Sequence, residues 1–472
     1  MRSAVSRLRR ALRAESPRLL RLALPLAVSQ LGIIGMGVTD VIVAGHAGRD
    51  DLAAVTIGFY AWDMALLLIF GVMLANGALI GHRHGAGDEA GLRRQFQQSL
   101  WLALPLAVVS ALAIVALRAL MPVLQLPPEV ITIASGYLTP TIGTAALLPL
   151  VILFRTTAEG MGLARSVMWL NTGAFLLNIP LDIAFVLGAF GQPGMGGAGC
   201  GWATLIAFAT LLLAWLACSF ALPALRRQRL WHAFAPPSAR DIGHTLSIGL
   251  PIGLSLLGVG GFFAVLPMLM ASLGAVAIAG HAIAITVDTL MLTVPLGLGQ
   301  AMTVRVAHEL GAGNPHGARA VCVAGMTLSA ALALLQALPT VIWRTPLAAL
   351  FTSDPEVAAL GALLLLYAAA YRLFDSVQVA AGMALRGYKD TRVASAINIA
   401  AYWLFGLPLC WLLAMGSPWH PGLGVTGFWT GMLTSIALAA SAIAWRLART
   451  SRRATGAASG STGPAAPRTV EA

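Results

Sequence analysis

Charge is what this chain has least of. Of its 472 residues only 10% are Asp, Glu, Lys or Arg, against about a quarter in soluble globular proteins. With 58% hydrophobic residues and a mean hydropathy of +0.82, it could not cover a water-facing surface with polar groups. Soluble enzymes, nucleic-acid binders and disordered scaffolds are thereby excluded. Cysteine is scarce too. Cys200, Cys218, Cys322 and Cys410 stand singly, with neither CxxC nor zinc-ligand spacing, so no disulfide framework and no metal are indicated. Three of them lie within apolar runs, where a lone Cys behaves as a small hydrophobe. Catalytic signatures are also missing, so an enzyme is not expected. His316 is too far beyond His308-Glu309 for HExxH, and the glycines of 194–199 precede no Lys-Ser/Thr.

What the chain does have is long apolar stretches. Twelve are long enough to cross a bilayer: 19–45, 52–80, 97–121, 132–155, 166–190, 198–222, 244–272, 279–304, 320–343, 357–382, 393–415 and 423–446. Their continuity predicts helices rather than alternating barrel strands. The first is too long for a signal peptide and has no small-residue cleavage site before Asp40. Of the 30 basic residues only Arg49, Arg118, Arg344 and the in-span Arg372 fall away from one face of this arrangement. The positive-inside rule then puts both termini in the cytoplasm. The basic tails suit anionic lipid headgroups and call for no nucleic acid.

The chain also repeats itself. At an offset of 226, Pro25 meets Pro251, Gly71 meets Gly297, and His82-Arg-His-Gly-Ala-Gly meets His308-Glu-Leu-Gly-Ala-Gly. At 227, Gly160 meets Gly387 and Asn171 meets Asn398; at 228, Gly194-x-Gly-x-x-Gly meets Gly422-x-Gly-x-x-Gly. Six spans per half give both halves the same orientation, a parallel repeat of the kind that holds a transport path between its lobes. The expected organisation is a basic segment (1–18), an N-terminal lobe (19–222), a linker (223–243), a C-terminal lobe (244–446) and a disordered tail (447–472). His82, His84 and His308 are read as residues of helix ends and loops.

A carboxylate inside a bilayer costs about 2.5–3.5 kcal/mol on insertion scales and so needs a reason. Five fall within spans: Asp40, Asp63, Asp182, Asp288 and Asp375. Counting from the basic ends puts Asp40 and Asp182 in the outer part of the first lobe. Asn178 lies one turn before Asp182 on the same helix face, and Thr204 could reach the same height. These four would form an oxygen cluster for Na⁺ or a carboxylate pair able to hold a proton, unless they only tie helices together. Asp375 has Arg372 three residues before it, which leaves an ion pair and a binding site as equal alternatives. Asp63 and Asp288 have no visible partner in the sequence. Each could face a water-filled cavity or bond a neighbouring helix.

With these pieces in place, the sequence resembles the multidrug and toxic compound extrusion (MATE) family, in its NorM-like bacterial branch. The resemblance is carried by Pro25 to Gly45, Leu52 to Gly58, Asn178-Ile-Pro-Leu-Asp182, His308-Glu-Leu-Gly311 and Asp375-Ser-Val-Gln378 running into Ala384-Leu-Arg-Gly-Tyr-Lys-Asp-Thr391. It implies an all-α integral membrane protein of the bacterial inner membrane, with twelve helices in two six-helix lobes. It further implies export of cationic or amphipathic drug-like compounds in exchange for H⁺ or Na⁺, without a cofactor. By position, Asp40, Asn178, Asp182 and Thr204 resemble the family's first-lobe coupling site and Asp375 its second-lobe acid. Arg372, Asp288 and Asp63 are grouped with Asp375 as second-lobe coupling or cleft residues. Two departures stand out. Val259 replaces an acid common in the seventh helix, and Arg372 replaces a neutral polar residue and would compete with Na⁺, so H⁺ is preferred. The expected partners are drug-like substrates and lipids, with the protein monomeric. A flippase for lipid-linked intermediates is the alternative on the same superfamily fold.

Overall fold

In lipid a backbone must satisfy its own hydrogen bonds, and a long apolar run does so as a helix. The computed structural model, which describes residues 2–124, 126–188, 193–417 and 420–460, has 12 helices long and apolar enough to span a membrane. They are α1 (Arg2–Ala47), α2 (Arg49–Gly85), α3 (Glu89–Leu120), α4 (Pro128–Gly160), α5 (Ala164–Asp182), α6 (Ala198–Ala221), α7 (Ala239–Met270), α8 (Ala275–Gly311), α9 (Pro315–Ile342), α10 (Pro355–Gly387), α11 (Thr391–Met415) and α12 (Val425–Gly460). Short polar caps set the starts. Asp88 accepts from the Gly91 amide at 2.8 Å ahead of α3, and Asn314 does the same for Gly317 at 2.9 Å ahead of α9. Pro128, Pro315 and Pro355 open their helices at the position where the missing N–H has no partner to lose.

The two halves pack alike. In the first, α2 lies on α4, α4 on α3 and α6, and α1 on α5; in the second, α8 lies on α10, α10 on α9 and α12, and α7 on α11. Small details repeat with the sequence. Asn171 donates to Ser29 Oγ at 2.6 Å and Asn398 to Ser255 Oγ at 3.0 Å. The halves meet through α2 against α7 and α1 against α8, with α2 also crossing α8. A Cβ on Gly71 would run into the Gly253 backbone, and one on its counterpart Gly297 would run into Ala23 and Ala27. Lipid offers no hydrophobic drive between helices, so such close backbone approach is what holds them.

Two boundaries differ from the sequence expectation. Residues 2–18 of the basic segment form no separate tail: they are the start of α1, and Glu15 among them is buried against Arg305 of α8. The tail expected to be disordered from 447 remains α12 as far as Gly460, with Leu447, Ser451 and Thr455 buried. Ala and Arg propagate a helix readily once a span has nucleated it, and Arg446 anchors it to Asp390 at 2.7 Å. The remainder of that tail, 461–472, lies outside the described residues. The linker is strapped down: Gln97 donates to the Leu230 carbonyl at 2.9 Å, Gln98 to Pro236 at 2.8 Å and Trp101 to Ala235 at 3.0 Å.

Candidate functional site

The first-half acids come together where α1, α5 and α6 converge, toward the ends remote from the termini. Asp40 is near the end of α1. Asp182 closes α5, where a π-helical turn, Ile183–Leu187, takes over. Pro180 removes the amide that would bond one turn back, and a π turn is a known way to re-aim a side chain at a functional position. Both acids are buried, at 2% and 0% exposure. Their carboxylate oxygens and the Cys200 sulfur all lie within 4.8 Å of one another. Thr204 Oγ1 donates to Asp40 Oδ2 at 3.1 Å, and Cys200 Sγ contacts the Asp40 carbonyl at 3.4 Å. Both Asp182 oxygens and both polar atoms of Asn178 are buried without a hydrogen bond of good geometry among the described residues, although both side chains lie beside the Asp40 carboxylate.

Asp40, Asn178, Asp182 and Thr204 are thus brought into one place, as their spacing suggested. Cys200 was missed, since a single Cys four residues before Thr204 carries no motif. Neither Asp40 nor Asp182 forms an ion pair among the described residues. Two carboxylates packed together in a low-dielectric medium cannot both remain charged without a counter-charge. This donor set fits one shared proton or one small hard cation, and nothing else in the site supplies the charge.

The second-half acids meet a different fate. Arg372 of α10, 1% exposed, donates from Nη1 to Asp375 Oδ2 at 2.6 Å and from Nε to Asp288 Oδ1 on α8 at 3.0 Å. Its Nη2 donates to the Asp288 carbonyl at 2.9 Å. Asp288 therefore has a partner that the sequence did not reveal, because it lies two helices away in the chain. Tyr371 and Tyr402 adjoin this triad, with their hydroxyls 3.2 Å apart. Val259 packs in the apolar cluster beside Phe262 and Tyr402.

Asp63 does not join the group to which the sequence reading assigned it. It sits on α2, half-buried, with no hydrogen bond or ion pair among the described residues. Trp62 before it bonds Tyr137 at 3.1 Å, and Met64 after it packs against Gly260 of α7. It thereby stands where the two halves face each other. Arg155, which the sequence reading leaves among the basic residues of the terminal face, is a further correction. It is buried within α4, paired with Glu159 at 2.7 Å and bonded to Gln30 at 2.5 Å. The i,i+4 spacing of Arg155 and Glu159 made that pair legible in retrospect.

The two halves use the repeat unequally. Shifted by the repeat offsets, Asp40 falls on Leu266 and Thr204 on Met432, both buried in apolar packing. Conversely, Asp288, Arg372 and Asp375 fall on Trp62, Ala145 and Leu148. A duplicated scaffold has been given two different charged sites.

A twelve-helix membrane protein, duplicated in parallel and carrying a buried acid pair in one lobe and a charged triad in the other, has the plan of a secondary transporter. The MatE family profile matches residues 25–184 and 251–412, and the chain belongs to that family. It is 37% identical to the multidrug resistance protein PmpM of Pseudomonas aeruginosa over 94% of this chain and 93% of that one. It is 35% identical to the probable multidrug resistance protein NorM of Chromobacterium violaceum over 93% of this chain and 95% of that one. Among solved structures, a MATE family transporter in an outward-facing conformation superposes with a TM-score of 0.84 at 19% identity, over 95% of this chain and 98% of that chain. The eukaryotic MATE transporter AtDTX14 does so at 0.79 and 20% identity, over 95% and 100%.

Proposed function

We propose that this protein is an antiporter that exports cationic or amphipathic drug-like compounds from the cytoplasm in exchange for a proton, by alternating access between its two halves. The observation that carries the reading is the buried Asp40–Asp182 pair, close together and without a basic partner among the described residues. The names of the relatives, multidrug resistance proteins, support the substrate class. The Arg excess on the terminal face supports an inner-membrane protein with both ends in the cytoplasm. The protein acts here as a monomer among lipids, with no cofactor and no chemistry beyond ion exchange.

In this mechanism a proton entering from outside binds between Asp40 and Asp182 and removes a negative charge from the first lobe. A bound cationic substrate loses its attraction and leaves. When the halves reopen to the cytoplasm the proton departs and the restored charge favours the next cation. Exchange of a proton for a monovalent cation moves no net charge, so the pH difference is the drive. About 1.4 kcal/mol, one pH unit, supports a tenfold substrate ratio. Asp63, with no hydrogen bond or ion pair among the described residues and next to the Met64 contact with the second half, would bind the substrate's positive charge. Proton rather than Na⁺ coupling is favoured because Arg372 already holds both second-half acids in ion pairs. The flippase alternative has less support: both Arg155 and Arg372 are held by carboxylates and do not offer guanidinium groups to a diphosphate.

The test is ethidium accumulation in efflux-deficient cells expressing wild type, Asp40→Asn or Asp182→Asn at matched protein levels, with and without a protonophore. Lower accumulation that requires both acids and the proton gradient is the expected result. Uptake into everted vesicles driven by Na⁺ alone, at fixed pH and voltage, would overturn the choice of proton.

A further inference from the structure

The repeated histidines have a structural role that transport as described above does not use. His82, near the end of α2, donates through Nε2 to the Gly387 carbonyl at the end of α10, at 2.8 Å. His308, its counterpart near the end of α8, donates through Nε2 to the Gly160 carbonyl at the end of α4, at 2.6 Å. Each bond runs from one half of the molecule to the other, and the two are related by the same repeat that relates the sequences. The acceptors are related as well. After Gly160, the amides of Met161, Gly162 and Leu163 turn back to Thr157, Glu159 and Ala158. After Gly387, those of Tyr388, Lys389 and Asp390 turn back to Ala384, Arg386 and Leu385. In both turns the glycine carbonyl is passed over, a buried acceptor of the last helical turn that needs an outside donor. A histidine from the opposite half supplies it.

The backbones are fitted to each other at the same place. A Cβ on Gly85 would lie 2.7 Å from His308 Cα, and one on Gly311 would lie 2.9 Å from the His82 carbonyl carbon. The rings of His84 and His308 are 5.0 Å apart. Every other side-chain hydrogen bond or ion pair between the halves among the described residues lies on this same face: Arg94 with Asp241, Gln95 with Thr245, and Arg305 with Glu15. The first of these is exposed, where an ion pair contributes little. The two histidine bonds end on buried carbonyls, where losing the donor leaves an acceptor stranded.

We propose that His82 and His308 form a paired bolt that holds the two halves closed on the terminal face, and that both bonds must break for the protein to open there. The opening step rests on the alternating-access reading; the bolt itself does not. Either the neutral Nε2–H ring or the charged ring can donate, so the bolt works through geometry rather than through titration.

The bolt can be tested without measuring transport. Spin labels at Ala90→Cys and His316→Cys, exposed positions on the terminal ends of α3 and α9, report the separation of the halves by pulsed electron resonance in the full chain with Cys218→Ser. Wild type should give one short distance. His82→Ala or His308→Ala should raise the ratio of long to short distances about fivefold, and the pair of changes about twenty-five-fold, if each bond contributes the usual net amount and the two act independently. His82→Gln and His308→Gln, which keep an amide N–H near the Nε2 position, should stay near wild type. Gly85→Ala, which wedges α2 from α8 without touching either ring, should open the same face and covers the case in which the double alanine variant does not fold. A wild-type distance distribution in the double alanine or the Gly85→Ala protein, or equal opening in the glutamine and alanine variants, would overturn the bolt. A protein that opens as expected but exports nothing would leave the bolt standing and remove the transport reading.

Discussion

The Arg372 guanidinium takes both the side chain and the main chain of Asp288, bonding the carboxylate through Nε at 3.0 Å and the carbonyl through Nη2 at 2.9 Å. With Asp375 of its own helix on its other edge at 2.6 Å, one arginine ties α8 to α10 at two points and holds a second acid beside the first. Removing the cation would leave two carboxylates facing each other in the membrane. Arg372→Met is therefore expected to destabilise the protein by about 3–5 kcal/mol, measured as a fall in the unfolding midpoint in detergent. Adding Asp288→Asn and Asp375→Asn to it should recover most of the loss.

The opposite sign is expected at the first-half pair. Asp40 and Asp182 lie together with no ion-pair partner among the described residues, so Asp182→Asn relieves repulsion and should melt no lower than wild type while transport is lost. A thermal midpoint that drops by several degrees in Asp182→Asn would mean the acid is structural, and the coupling role would pass to the Asp375 triad.

Lys389 and Gly162 hold the same place in the two repeats, both with positive φ, 61° and 77°. Glycine adopts that conformation freely; a residue with a Cβ does so at a cost of about 1 kcal/mol. Lys389→Gly should therefore raise stability by about 1 kcal/mol and Gly162→Ala lower it by a similar amount. Burial, and then Arg83, holds the Lys389 ammonium below the usual lysine range. A group with a lowered folded-state value is more readily charged when unfolded. Its contribution therefore favours the fold above the unfolded value and is lost as pH falls. The gain from Lys389→Gly should accordingly be larger at neutral pH than at pH 11, which a pair of melts would show.

Pro295 deprives the Met291 carbonyl of its helical donor, and Gln336 on α9 takes its place at 2.9 Å. Gln336→Leu strands that carbonyl inside the protein and should cost about 1–3 kcal/mol. If Gln336→Leu melts like wild type, the proline kink is satisfied in some other way.

The sequence by itself determined the twelve spans, their shared direction in the two halves, and the duplication. Each of these depends on local hydropathy or on residue identity at a fixed offset, and in lipid an apolar run of such length has few alternatives to a helix. It also singled out the acids, because an in-span carboxylate is conspicuous wherever it lies, and it placed Asn178 and Asp182 together because helical spacing is a local rule. Which charges meet was decided only in three dimensions. Asp288 and Arg372 are 84 positions apart, His82 and Gly387 305 apart, and no periodicity links residues on helices that touch only after the bundle has packed. For the same reason Cys200 beside Asp40, the burial of Arg155 and the partner of Asp288 were invisible. Tertiary packing chose which buried acids acquire an arginine partner and which two lie side by side without one among the described residues.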